Sequence, residues 1–255
     1  MIQEEVSFPN SEGEMLKGVI RLPDDEGPFP VVILCHGFAS NKDHELMYNL
    51  WDAISRAGFA CLRFDFTGHG ESAGSFKHFT ISREVRDLKS AKDFLRSSHT
   101  VDLRRLALIG HSLGGSVALL SASELKAKGV VEIAGLARLE DFINSRFSDY
   151  QLRQWKEKGY IQLHNFEELS TEILRDIPRH DVLSAVKDLG RPVMAIHGTH
   201  DTLVPFENAR EIFNHAGEQR RLELIDNADH FFREDEQRDQ LIDLIVEFLA
   251  RYIRE

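Results

Sequence analysis

The chain has 255 residues, 42 % of them hydrophobic and 29 % charged, with a formal charge of -11. That length and balance suit one α/β domain, with or without a modest insertion. The acidic excess argues against nucleic acid and anionic membrane surfaces as partners, and no apolar run approaches the roughly 18 residues that span a bilayer.

The first residues, Met1-Ile-Gln-Glu-Glu-Val, are acidic and lack the basic and apolar regions of a signal peptide. The expected compartment is therefore the cytoplasm, where Cys35 and Cys61 are expected as small buried thiols and not as a disulfide. Residues 2–8 and 15–22 are extended runs around the turn cluster Pro9-Asn-Ser-Glu-Gly, so they predict a hairpin. Val31-Val-Ile-Leu-Cys is a continuous apolar run, as a strand buried on both faces requires. It ends in His36-Gly-Phe38. A helix is predicted over 44–57, with Leu46, Leu50, Ile54 and Ala57 on one side. Phe59 to Phe64 is the next strand, followed by the Gly-rich loop Asp65-Phe-Thr-Gly-His-Gly-Glu-Ser72.

Thr80 is placed to cap a helix whose apolar face is Val85, Leu88, Ala91 and Leu95. Residues 105–109 read as a strand, 113–127 as a helix and 130–134 as another strand. Strands and helices thus alternate, with connections too long for hairpins, which predicts a mostly parallel eight-stranded sheet flanked by helices. The alternation breaks between Leu136 and Pro178, where charged residues are interleaved with Tyr150, Trp155 and Tyr160 and no strand-like run stands out. Helices are expected near 149–158 and 166–176. The chain divides on this reading into core residues 1–136, a lid insertion over 137–178, and core residues 179–255. Surface helices that never meet a substrate are the alternative for the insertion. The core then resumes with a strand over 191–197, a helix begun by Pro205 at its first position, a strand over 222–225, and a last helix from about Glu236.

The chemistry centres on Gly110-His-Ser112-Leu-Gly114, set between a predicted strand and a predicted helix. This is the G-x-S-x-G nucleophile elbow. The tight turn stands the serine Oγ clear of its backbone, and glycines on either side avoid clashes that a Cβ would cause. A serine nucleophile needs a base and a group that orients the base. In open parallel sheets such groups gather beyond the carboxyl ends of strands. Asp201 and His230 both follow strands, which gives the chain order Ser112, Asp201, His230. Asp226 and Asp229 are rivals for the acid, with loop capping as their simpler role. His36 is expected to order its loop, His69 to pack in the Gly-rich loop, and His111 to point away into the structure. His197 and His200 with Asp201 carry a weaker metal reading, since no further ligand cluster accompanies them.

On His36-Gly37-Phe38, Asp65-x-x-Gly68-His69-Gly70-x-Ser72, Gly110-His-Ser-Leu-Gly114, His197-Gly198-x-x-Asp201 and Asp229-His230, the chain resembles an α/β-hydrolase over nearly its whole length. Within that superfamily it is similar to small intracellular esterases of feruloyl and cinnamoyl esters. Those carry Gln after the elbow serine, where this chain has Leu113 as many lipases and other esterases do. The resemblance implies an α/β-hydrolase fold, Ser112 as nucleophile, His230 as base and Asp201 as its orienting acid. It also implies an oxyanion hole from the N–H groups of Phe38 and Leu113, and no metal or organic cofactor. The implied activity is hydrolysis of small to medium carboxylic esters, hydroxycinnamoyl esters among them. Monoacylglycerol lipase, thioesterase and serine aminopeptidase activities of the same fold stay open, as does a non-catalytic ligand-binding member. Tyr150, Trp155 and Tyr160 are candidates either to line a substrate pocket or to anchor the lid. The partner expected is a small-molecule ester, with no nucleic acid and no membrane. The oligomeric state is not readable, a homodimer being one open alternative.

Overall fold

The computed structural model describes residues 1–163 and 167–255. The chain opens with strands β1 (Ile2–Pro9) and β2 (Met15–Leu22), paired antiparallel as a hairpin. The following core elements are β3 (Phe29–Cys35), α1 (Glu45–Arg56), β4 (Ala60–Phe64), α2 (Ile81–Arg96), β5 (Val101–His111), α3 (Leu113–Ser121) and β6 (Gly129–Ile133). Next comes the insertion, with α4 (Leu139–Asn144), α5 (Asp149–Lys158), a small hairpin of β7 (Tyr160–Gln162) and β8 (Glu168–Ser170), α6 (Glu172–Asp176) and α7 (Val182–Lys187). The core closes with β9 (Val193–Gly198), α8 (Glu207–His215), β10 (Arg220–Ile225) and α9 (Asp235–Tyr252).

Eight strands form one sheet in the order β1-β2-β4-β3-β5-β6-β9-β10. Only β1/β2 and β2/β4 are antiparallel; the six strands from β4 to β10 in that order run parallel. β3, β4 and β6 are buried along their whole lengths, as strands covered by helices on both faces must be. Two apolar clusters lie on opposite sides of the sheet. One contains Leu88 and Leu95 of α2 with Val117 of α3, and the other Leu46, Leu50 and Ile54 of α1 with Leu241, Ile245 and Leu249 of α9. The side chain of Thr80 accepts from the Arg83 N–H and caps α2, the role its sequence position predicts. Among the described residues no helix is long and apolar enough to cross a membrane.

Four local expectations are corrected. β5 is longer than the predicted 105–109, because its first residues pair with Phe29 and Pro30 before a register shift at Val31. α3 stops at Ser121 and not at 127, giving way to turns in which Lys126 takes a left-handed φ of 52°. Pro205 lies before α8, whose cap is Phe206 and whose first residue is Glu207. Finally, the second helix expected in the insertion is a strand over 168–170 followed by a five-residue helix; Phe166, where it was expected to begin, lies outside the described residues. The hairpin strands are three residues each and of mixed polarity, too short for alternation to register in a sequence. Gly159, at φ 82°, ends α5 and turns the chain into the first of them.

Candidate functional site

Ser112 stands between β5 and α3 with φ 56° and ψ -127°, a left-handed conformation for a residue with a side chain. Such backbone strain persists only where its surroundings fix it. The Ser112 N–H donates to the Ile133 carbonyl at 2.7 Å, tying the turn to β6. The close approaches explain the flanking glycines. A Cβ at Gly110 would overlap the Gly114 carbonyl, and one at Gly114 would overlap the carbonyls of Cys35 and His36. The loop after β3 therefore lies directly on the turn, and a Cβ on Gly37 would come within 3.1 Å of the Ser112 Cβ.

That loop is braced by His36. Its Nδ1–H donates to the Gly37 carbonyl at 2.9 Å, and its Nε2 accepts the Phe66 N–H at 3.1 Å. Accepting at Nε2 requires a neutral ring, and burial pushes its pKa down to about 4. Among the described residues the N–H groups of Phe38 and Leu113 have no hydrogen-bond acceptor. These two donors flank Ser112, one from the β3 loop and one from the first turn of α3.

The loops after β9 and β10 bring Asp201 and His230 together. His230 Nδ1 donates to Asp201 Oδ2 at 2.6 Å, and Oδ1 accepts the N–H groups of Leu203 and Val204 at 2.8 and 2.9 Å. His197, at the end of β9, approaches the same Oδ2 at 3.1 Å. Burial alone would favour the neutral acid. The hydrogen bonds from His197 and His230, the His230 charge and the Val204 N–H outweigh it and hold Asp201 well below the usual carboxylate range. Asp229 instead caps its own loop, accepting the N–H groups of Phe231 and Arg233 and pairing with the Arg233 guanidinium at 2.5 Å. Asp226 is exposed.

His111 does not turn away into the structure. It is buried against His230, ring centroids 4.7 Å apart, and its Nε2–H donates to the His230 carbonyl at 2.8 Å. The residue before Ser112 thus fixes the loop that carries His230, which places the serine and the histidine at the same end of the sheet. Sequence reasoning missed this link because it is a backbone contact across 119 positions.

The three aromatic residues of the insertion are placed differently from one another. Trp155 is fully buried against Phe147, centroids 5.0 Å apart, and so anchors α5 to the core. Tyr150 is 65 % exposed. Tyr150, Trp155 and Tyr160 line a separate cleft of about 380 Å³ on the insertion, with Gln151, Gln154 and Lys158. The rings beside the serine belong to other segments. Phe38 packs on Phe76, Phe79 and Phe142, with centroids 5.2, 5.1 and 4.7 Å away. Phe142 comes from α4, so the insertion reaches the β3 loop through this ring. Arg146, one turn on, lies 4.4 Å over the Phe142 ring. Its pKa is lowered by burial, with the Asp201 charge acting in the opposite direction.

The site therefore combines a serine on a strained strand-to-helix turn, two unengaged backbone donors, and a histidine oriented by a buried carboxylate. The chain is similar in sequence and in fold to several known proteins. Human mitochondrial palmitoyl-protein thioesterase ABHD10 is 24 % identical over 196 residues, 73 % of this chain and 62 % of that protein, so the match spans less than two thirds of the relative's length. The structure of Est1E from Butyrivibrio proteoclasticus with ferulic acid bound superposes with a TM-score of 0.86 at 19 % identity, covering 98 % of this chain and all of that one. An esterase domain from a Rhodothermus marinus protein superposes with a TM-score of 0.76 at 25 % identity, over 99 % of this chain and 100 % of that chain. The sequence profile of the alpha/beta hydrolase family matches residues 32–244, most of the chain, and the chain belongs to that family.

Proposed function

We propose that the protein is a serine hydrolase of carboxylic esters that works through an acyl-enzyme. Ser112 Oγ bonds to the acyl carbon while its proton passes to His230 Nε2. The carbonyl π pair moves onto oxygen, where the Phe38 and Leu113 N–H groups receive it. One such donor is commonly worth about 3 to 4 kcal/mol in the transition state. The pair then returns, the bond to the alcohol oxygen breaks, and His230 protonates the departing alcohol. Water repeats the sequence on the acyl-enzyme and restores Ser112. Asp201 keeps the proton of resting His230 on Nδ1, which leaves Nε2 free to accept, and stabilises the imidazolium that forms.

The observation that carries this reading is the 2.6 Å bond from His230 Nδ1 to a buried carboxylate, on a loop held by the neighbour of Ser112. Small to medium acyl esters, hydroxycinnamoyl esters included, are the proposed substrates. The aromatic cluster of Phe38, Phe76, Phe79 and Phe142 supports a planar or apolar acyl group. Thioesters are the second reading, favoured by the similarity to the mitochondrial thioesterases. The test is a panel of p-nitrophenyl esters, methyl ferulate and acyl thioesters, with fluorophosphonate labelling of the serine. Ser112→Ala is expected to abolish turnover and labelling while leaving the fold intact. Turnover retained in that variant would move the nucleophile elsewhere.

A further inference from the structure

Near Asp201 lie two buried polar side chains that the reaction above does not use, one of them sharing its Oδ2 with His230. Glu132 is in β6 and His197 in β9, both fully buried. The strands are parallel neighbours, with Glu132 opposite Ala195 in register. His197, two residues further on, therefore shares Glu132's face of the sheet as its diagonal neighbour. Room for the carboxyl comes from the elbow glycines. Gly110 is paired with Glu132 on the other flank, and a Cβ on Gly115 would stand 3.3 Å from the Glu132 Cβ.

Each side chain is half satisfied. Glu132 Oε2 accepts the Gly135 N–H at 2.7 Å, while Oε1 is buried without a partner. His197 Nε2 lies 2.9 Å from the Val204 carbonyl and 3.1 Å from Asp201 Oδ2. Both neighbours accept only, so Nε2 carries the hydrogen. Nδ1 is the second orphan, buried and without a partner. An unmet buried acceptor and an unmet buried ring nitrogen each cost about 1 to 3 kcal/mol. The two atoms are not bonded to each other, so meeting both takes a proton and one water between them.

We propose that Glu132 and His197 share a proton through one bridging water, and that this pair acts as a positioning unit for Asp201. The shared proton gives His197 imidazolium character, so the His197 Nε2–H is a charge-assisted donor to Asp201. It holds the carboxylate in the orientation that His230 needs and draws off part of its charge. The direction of the titration shifts agrees. Burial pushes Glu132 up to about 7, against the His197 charge and the Gly135 N–H. His197 is raised in spite of burial, through the Asp201 hydrogen bond, the Glu132 charge and the Val204 carbonyl.

The reading of His230 as base is assumed in one of the two tests only. In Glu132→Gln the amide can still bond the bridging water, but the proton is gone and His197 is neutral. His230 then faces the full Asp201 charge and holds its own proton more firmly. The acid limb of kcat/KM for a p-nitrophenyl ester is expected to move to higher pH by roughly half a unit to one unit, with KM little changed. The other charged and titratable groups around the site stay in place in this variant: His111 from β5, His44 at the start of α1, and Arg146 from the insertion. The second test needs no activity. Spectra of the full chain labelled with ¹⁵N-histidine are expected to show both His197 ring nitrogens in protonated character near pH 7, and only Nε2 in Glu132→Gln. Superimposable acid limbs, or a wild-type His197 with a bare Nδ1, would overturn the proposal. Absent turnover with absent labelling of Ser112 would instead count against the hydrolase reading alone.

Discussion

The strand-end loops that carry Ser112, Asp201 and His230 and the insertion between β6 and β9 both approach the serine, yet different forces hold them. The loops leave the carboxyl ends of parallel strands. The side chains of Ser112, Asp201 and His230 are buried, and Asp201 is held by two histidine rings and two backbone N–H groups. The insertion is made of short elements. It is tied to the core by two buried rings, Phe142 and Trp155, and by polar contacts at its rim, such as Lys77 to Glu168 at 2.7 Å and the Ser82 N–H to Asp176 at 2.9 Å. Surface ion pairs of the first kind contribute little on their own. On the proposed reading, the first region would set the geometry for bond making and the second would bear on which acyl group reaches it.

The largest effect should come from the fixed region. In Asp201→Asn the amide allows the wrong His230 tautomer, and kcat for ester hydrolysis is expected to fall by about 10⁴, the scale seen when a triad aspartate is so replaced. A near-normal rate would assign the orienting role to another carboxylate. Next in size, Phe142→Ala removes the ring that joins α4 to Phe38. Loss of a buried Phe costs about 3 to 5 kcal/mol in unfolding stability. Acyl-chain preference across an ester series should shift several-fold, while turnover of a small acetyl ester persists. An unchanged profile would erase the distinction between the two regions.

The smallest effect concerns a buried carboxyl in the core. Glu84 of α2 is fully buried and neither carboxyl oxygen has a partner. Burial, and then the charge of Asp87, raise its pKa well above the usual value. A carboxyl raised on folding favours the folded state fully below its unfolded pKa and loses that advantage as pH rises toward the folded value. Asp87, pushed up to about 6 by burial, acts in the same sense and stays in the variant. The thermal midpoint of the wild type should therefore drop between pH 5 and pH 8, and that of Glu84→Gln should drop less. Parallel slopes would mean that Glu84 does not titrate in the folded protein.

Legibility in the sequence followed the same division. Parallel strands buried on both faces read as apolar runs, so the order and ends of the core strands could be placed, and with them Ser112, Asp201 and His230 as candidates. In the insertion the ten-residue α5 was expected where it lies, but the three-residue strands and the five-residue α6 fall below the length at which periodicity carries information, and the hairpin was missed. The relation of Glu132 to His197 was hidden for another reason. A lone polar residue in an apolar strand looks like a strand residue, and only the β6–β9 register shows that the two share a face. Phe38, Phe76, Phe79 and Phe142 come from distant segments, and no local spacing announces that their rings meet. Leu113 is buried in the first turn of α3, so what distinguishes it from the Gln of the similar esterases is a side chain packed into the core.

The two cysteines give this architecture a practical consequence. Cys35 ends β3 and Cys61 lies in β4, adjacent strands at the centre of the sheet, and both thiols are free and fully buried. Burial raises both thiol pKa values far above the ordinary range, the charge of Glu84 adding to this at Cys35. A thiol reacts as its thiolate and only where a reagent can reach it. Opening the insertion or fraying a terminus exposes neither, since both sit where only separation of the central strands admits a reagent. The chain thus contains two internal clocks for global unfolding. Their alkylation rate times the opening of the whole sheet and ignores the local motions of the region beside the serine.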